Sequence, residues 1–236
     1  GSDVTSPEFA GRISSASRDM FDATTKRGFN ATDDHGTDVA MVAAAARDNT
    51  GILGIAWGAT IMALRSDTPN TCVSDGGSTD PKAGCQFDDQ TISAAIDSAT
   101  AHGAKVINLS LGGDPPSSAV TDAVARAAAA GVFVVVAAGN DGNANPDAFG
   151  SGLDTAGNGA VIIAGSIDEN GAISSFSDRA GSQPDHFLTA RGEGVCCEYK
   201  NGQLYVDNQG FIYLLSGTSF STPQIAGAAA LLAQAF

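Results

Sequence analysis

Residues 105–140 read KVINLSLGGDPPSSAVTDAVARAAAAGVFVVVAAGN, and they decide the fold. Lys105–Leu111 has strand length and closes on Gly112-Gly113. Ser117 or Ser118 caps a helix with Val120, Ala123, Val124 and Ala127 turned inward, and Gly131 ends it. Val132–Ala138 is a second strand, which meets Gly139-Asn140. Strand, helix, strand in this order is a βαβ unit, so the two strands should lie parallel.

The same alternation extends outward. His35–Arg47 carries Val39, Val42, Ala43 and Ala46 at helical spacing. Thr60–Arg65 reads as a buried strand. Asp89–Gly103 reads as a helix with Ile92, Ala95, Ile96 and Ala99 on one face, and Val161–Ile167 as another strand. The expected class is α/β, three layers, with a mainly parallel sheet between helices. Within 195–215, Asn201-Gly202 and Asn208-Gln209-Gly210 divide short strand-like runs, predicting a small hairpin region. Gly1–Asp34 is polar and loop-like, and Ser66–Asp89 is a long Asp/Gly/Ser loop of the kind reserved for function or insertion.

Composition sets limits. With 236 residues, 43% of them hydrophobic, the chain suits a single folded domain. A formal charge of −14 argues against nucleic acid or an anionic membrane as partner. The apolar runs are too short to span a bilayer. Cys72 and Cys85 bracket a polar loop that a disulfide would close, while the adjacent Cys196 and Cys197 bridge each other, stay free or cross-pair. Neither pair has a His beside it or C-x₂-C spacing, which disfavours zinc. The even count leans towards an oxidising compartment.

Three distant points carry chemistry. His35 opens a helix in Asp34-His35-Gly36-Thr37-Asp38, Asn140 ends a strand, and Ser219 opens the last helix in Gly217-Thr218-Ser219-Phe220-Ser221-Thr222-Pro223. Taken singly, each is an ordinary cap or turn residue. In an open α/β sheet, however, strand ends and neighbouring helix starts gather on one edge. A neutral imidazole can take a proton from a Ser hydroxyl, and amide donors can hold the oxyanion that follows. His102 and His186 have no such company and read as surface or cap residues.

These three stretches resemble the His, Asn and Ser motifs of the subtilisin-like serine peptidases, in the family's order. Gly51-Ile52-Leu53-Gly54-Ile55-Ala56, Asn108-Leu109-Ser110-Leu111-Gly112-Gly113 and Ser175-Phe176-Ser177 extend the resemblance over nearly the whole chain. It implies His35 as general base, Ser219 as acyl-forming nucleophile and Asn140 as oxyanion donor. Ser110, Leu111 and Gly112 would bond an extended polypeptide substrate. Ala137, Ala138 and Gly139 would line the pocket for the side chain before the scissile bond, with Asp141 at its rim. The chemistry implied needs no cofactor and no metal, although Glu8, Asp48 and the carbonyls of Ala46, Thr50 and Ile52 resemble the family's structural Ca²⁺ site. The opening Pro7-Glu8-Phe9-Ala10-Gly11-Arg12 and the acidic balance look most like secreted or cell-surface bacterial members, including autotransporter passengers. A monomer is expected.

The pattern also breaks. The family's Asp, in Asp-Ser/Thr-Gly, would lie two residues before Gly1, on a strand this sequence does not contain. A final packing helix after residue 236 is expected to be missing as well. Asp3 is offset, and Asp33 and Asp34 would have to fold back to reach the ring. Asp38 stands where a second His is usual, and Met41 where Gly is common. Residues 1–236 are therefore expected to form one peptidase catalytic domain that turns over very slowly alone. The rival readings are a non-catalytic peptide-binding or surface relative and an esterase of the α/β-hydrolase kind. The esterase would want Gly-x-Ser-x-Gly.

Overall fold

Alternation of apolar strands with one-faced helices produces the expected layers. The computed structural model describes residues 2–21, 26–30, 33–72 and 84–236. In chain order its strands and helices are β1 (Arg18–Asp19), α1 (His35–Ala44), β2 (Leu64–Arg65), α2 (Asp89–Ala101) and β3 (Val106–Leu109). There follow α3 (Ser118–Ala129), β4 (Phe133–Ala137), α4 (Ala148–Ala156), β5 (Val161–Ile167) and β6 (Phe187–Arg191). The chain ends with β7 (Val195–Cys196), β8 (Tyr199–Lys200), β9 (Gln203–Leu204), β10 (Leu214–Leu215) and α5 (Thr218–Ala235).

β3, β4, β5 and β6 form one parallel sheet in that order, with Asn108 opposite Val135 and Ala164 opposite Leu188. Successive side chains of a strand point to opposite faces. Val134 and Val136 thus join Ile96, Val120, Val124 and Leu153 from α2, α3 and α4. Val135 and Ala164 turn the other way, onto Ile225 and Ala226 of α5. That is the three-layer arrangement read from the sequence. β1 and β2 make a separate parallel pair. In the hairpin region β8 pairs with β9 around Asn201-Gly202, and β7 pairs with β10, both antiparallel.

Some boundaries move. The strand expected over Thr60–Arg65 is reduced to Leu64–Arg65 and an isolated bridge from Ile61 to Ile13. α1 ends at Ala44 rather than Arg47, because Ala45 leaves helical geometry and its carbonyl accepts from Gly54 N at 3.1 Å. A Cβ on Gly54 would overlap the backbone of Ala45, so this close crossing requires glycine. α4 and β6 have no counterpart in the sequence reading. Two glycines dilute the helical signal of α4, and β6 alternates weakly at the end of the sheet. β1 likewise lies inside the stretch read as loop. Cys72 pairs with Cys85, and Cys196 with Cys197. Part of the long loop read over Ser66–Asp89, residues 73–83, and Gly1 lie outside the described residues.

Candidate active site

The carboxyl ends of β3 and β4 face the amino ends of α1 and α5. Asn140 follows β4 and is exposed. Its Oδ1 accepts from Thr218 N at 2.8 Å and from Thr218 Oγ1 at 3.0 Å. Because Thr218 N is a donor, the carbonyl oxygen of the amide must face it, which leaves Nδ2 as the outward donor.

α5 starts at Gly217, with φ 148° and ψ 153° and no side-chain cap. Thr218 N–H goes to Asn140 and Phe220 N–H to Gly217 O, which leaves Ser219 N–H as a donor at the positive end of the helix dipole. A Cβ on Gly217 would stand 3.8 Å from Ser219 N and 3.9 Å from Asn140 Nδ2. Two N–H donors, from different elements, thus border one small space that only glycine leaves open.

Ser219 is half-buried. Pro223, four residues on, has no N–H to give the Ser219 carbonyl. Ser110 Oγ donates to that carbonyl instead, at 2.8 Å, and itself accepts from Asn108 Nδ2 at 3.0 Å. The end of β3 is thereby tied to the first turn of α5. His35 is the first residue of α1, where the Asp33 carboxylate accepts its backbone N–H at 3.0 Å. The His35 ring stands edge-on to Phe220, the neighbour of Ser219, with centroids 5.8 Å apart. Among the residues read for substrate, Leu111 and Gly112 follow Ser110 on the partly open strand end, while Ala138 is buried and Gly139 half-buried beneath Asn140.

The nearby acids divide by environment. Asp3 Oδ1 accepts from Thr5, and Asp34 Oδ1 accepts from Asn201 N at 3.3 Å. Asp38 is buried and accepts from Tyr199 N at 2.7 Å. Burial, reinforced by Asp34, Glu198 and Asp33 and opposed by that one bond, pushes its carboxyl up to about 8. His102 caps the end of α2 through Ser98 O, and His186 pairs with Asp154, in keeping with their reading as cap or surface groups. The sequence reading missed Asp147, which caps α4, and the buried Asp178. An acid before Phe149 and Leu153, spaced four apart, was the available signal for the first.

Comparisons with known proteins place the chain in one family. A family model described as the subtilase family matches residues 1–236. Thermitase of Thermoactinomyces vulgaris is 38% identical over 202 residues, covering 84% of this chain and 61% of the relative. Subtilisin DY of Bacillus licheniformis is 34% identical over 201 residues, covering 84% and 62%. Fervidolysin of Fervidobacterium pennivorans is 32% identical over 248 residues, covering 100% and 34%. The chain therefore spans less than two thirds of these curated relatives. Among solved structures, sphericase superposes with a TM-score of 0.73 at 26% identity, over 99% of this chain and 74% of that one. A cold-adapted subtilisin-like serine proteinase does so at 0.71 and 26%, over 100% and 72%.

Proposed function

The chain belongs to the subtilase family, and from that premise we propose that it carries the site of a serine endopeptidase. Ser219 Oγ attacks the scissile carbonyl while His35 takes its proton. The oxyanion enters the space before Gly217, between Ser219 N–H and Asn140 Nδ2. His35 then protonates the leaving amine, and a water, deprotonated by the same ring, releases the acyl group. The substrate lies extended along Ser110, Leu111 and Gly112. The observation that carries this reading is the pair of donors converging on that space from α5 and the end of β4.

The remaining partner is a carboxylate that holds the His35 tautomer. β2 and β3 belong to separate sheets, yet both line one cavity of about 880 Å³ that runs from Ile61–Leu64 to Val106–Leu111 and reaches His35. Asn108 Oδ1, on β3, is buried without a donor. Without that carboxylate turnover should fall by roughly 3 × 10⁴, the loss known for subtilisin itself.

The chemistry needs no cofactor. At the expected Ca²⁺ place Glu8 and Asp48 stand close enough for the Asp48 charge to help raise the Glu8 carboxyl, after burial, and each is bonded through one oxygen. Glu8 Oε2 accepts Ala46 N–H at 3.0 Å, and Asp48 Oδ1 accepts from both N and Oγ1 of Thr50. Among the described residues no three acidic, His or Cys side chains gather about one point. No helix of the described residues is long and apolar enough to cross a membrane. The paired cysteines support an oxidising, extracytoplasmic setting.

A fluorophosphonate probe tests the proposal on the full-length protein. Ser219 should be labelled, and Ser219→Ala or His35→Ala should abolish labelling. A folded full-length protein with Ser219 unlabelled would sink it.

A further inference from the structure

Between Asn140 and β5 lies a group of acids that the hydrolysis scheme leaves unused. Asp147 Oδ1 accepts from Gly150 N at 2.7 Å, capping α4, and Oδ2 accepts from Gly113 N at 2.9 Å. Its own N–H donates to Ala138 O at 2.8 Å. One residue thus bridges both walls of the groove assigned above to the side chain before the scissile bond. A Cβ on Gly112 would overlap Asp147 Oδ2, so the carboxylate fills the place where a wall side chain would project.

A second acid stands beside the first, against Gly139. Asp178 is fully buried, donates its N–H to Gly139 O at 3.1 Å and accepts from Asn143 N at 2.6 Å through Oδ1. Its Oδ2 has no donor, and it lies against Gly139, where a Cβ would overlap it. Gly139 has φ +108°, and the same Cβ would also meet Asp147 Cβ at 3.2 Å, so the two acids stand on one side of a bare-backbone wall. Asp141 is exposed at the rim. Arg179, the base of this loop, donates to Gly142 O instead. Burial first, then the charges of Asp178 and Asp141, push Asp147 up to about 6 against the pull of its two backbone bonds. Each oxygen of Asp147 accepts one bond from a backbone N–H, whereas a carboxylate offers about four acceptor sites.

We propose that Asp147, with Asp178 beside it and Asp141 at the rim, makes this subsite select lysine or arginine before the scissile bond. An incoming ammonium or guanidinium supplies the donors that the carboxylates lack, and an acidic side chain is repelled. The inference rests on the peptidase reading for the position of the groove, but it can be tested without turnover. Full-length protein carrying Ser219→Ala is titrated calorimetrically with peptides that differ only in lysine, norleucine, phenylalanine or alanine at that position. At pH 8 the lysine peptide should bind at least tenfold more tightly than norleucine. Asp147→Asn should reduce the difference to under threefold. The unsubstituted groove should lose it at pH 5, as Asp147 takes up a proton. Norleucine, phenylalanine or alanine binding as tightly as lysine at pH 8, or no binding at all, overturns the proposal. The pH series keeps the test intact if Asp147→Asn does not fold. Fluorophosphonate labelling of Ser219 reports the peptidase reading separately: label without lysine preference defeats only this inference, and lysine preference without label defeats only the chemistry.

Discussion

At the scale of single residues, Gly217 and Asp38 matter most. Gly217 keeps open the space between Ser219 N and Asn140 Nδ2. Gly217→Ala would set a methyl there, at a φ that side chains rarely adopt. It should lower kcat by about 10²–10³, the loss seen when an oxyanion donor is removed from subtilisin, with KM little changed. Steady-state kinetics on the full-length protein check this. Asp38 makes a prediction of the opposite kind. Its folded pKa of about 8 lies above the unfolded value, so the folded state holds more protons than the unfolded state between about pH 4 and 8. Stability is therefore lost as pH rises through that window. Asp34, Glu198 and Asp33 set the charge around it. Asp38→Asn keeps an acceptor for Tyr199 N and cannot ionise. Its gain in Tm should be larger at pH 8 than at pH 5, by about 2–4 °C for each kcal/mol relieved in a domain of this size. A gain that does not change with pH would contradict the assignment.

At the scale of elements, the first turn of α5 shows how one exception is made good by another. Pro223 costs the helix a bond at Ser219 O, and Ser110 Oγ at the end of β3 replaces it. Ser110→Ala should therefore destabilise the protein by about 0.5–1.5 kcal/mol, the net worth of one hydrogen bond at a half-buried carbonyl. Thermal melting measures it. Pro223→Ala restores a helical N–H, so in that background Ser110→Ala should cost much less. The sheet was legible for similarly local reasons: β3, β4 and β5 are apolar runs bounded by glycine, and α2 and α3 carry one apolar face each. α4 and β6 were not legible. AFGSGLDTA has poor helix formers, and FLTAR becomes a strand only because β5 offers it a parallel partner.

At the scale of the whole molecule, the core is continuous through β3 to β6, while β1 and β2 stand apart across the cavity beside β3. The Glu8 and Asp48 carboxylates are already bonded to backbone on their own side. Their other oxygens, Glu8 Oε1 and Asp48 Oδ2, are where a structural Ca²⁺ would be held, so a chelator should lower the melting midpoint if the calcium reading is right, and an unchanged midpoint would remove it. The sequence by itself determined the layers, the identity of the helix starts and strand ends, and the residue types from which hydrolysis could be built. Those follow from periodicity, caps and composition, which act within a dozen residues. Only the tertiary structure decided that Asn140 grips Thr218, 78 residues away, that Asp147 joins two walls, and that a slot lies between β2 and β3. Such contacts depend on sheet register and on how α1 and α5 cross the strands. No short window of the chain encodes those quantities.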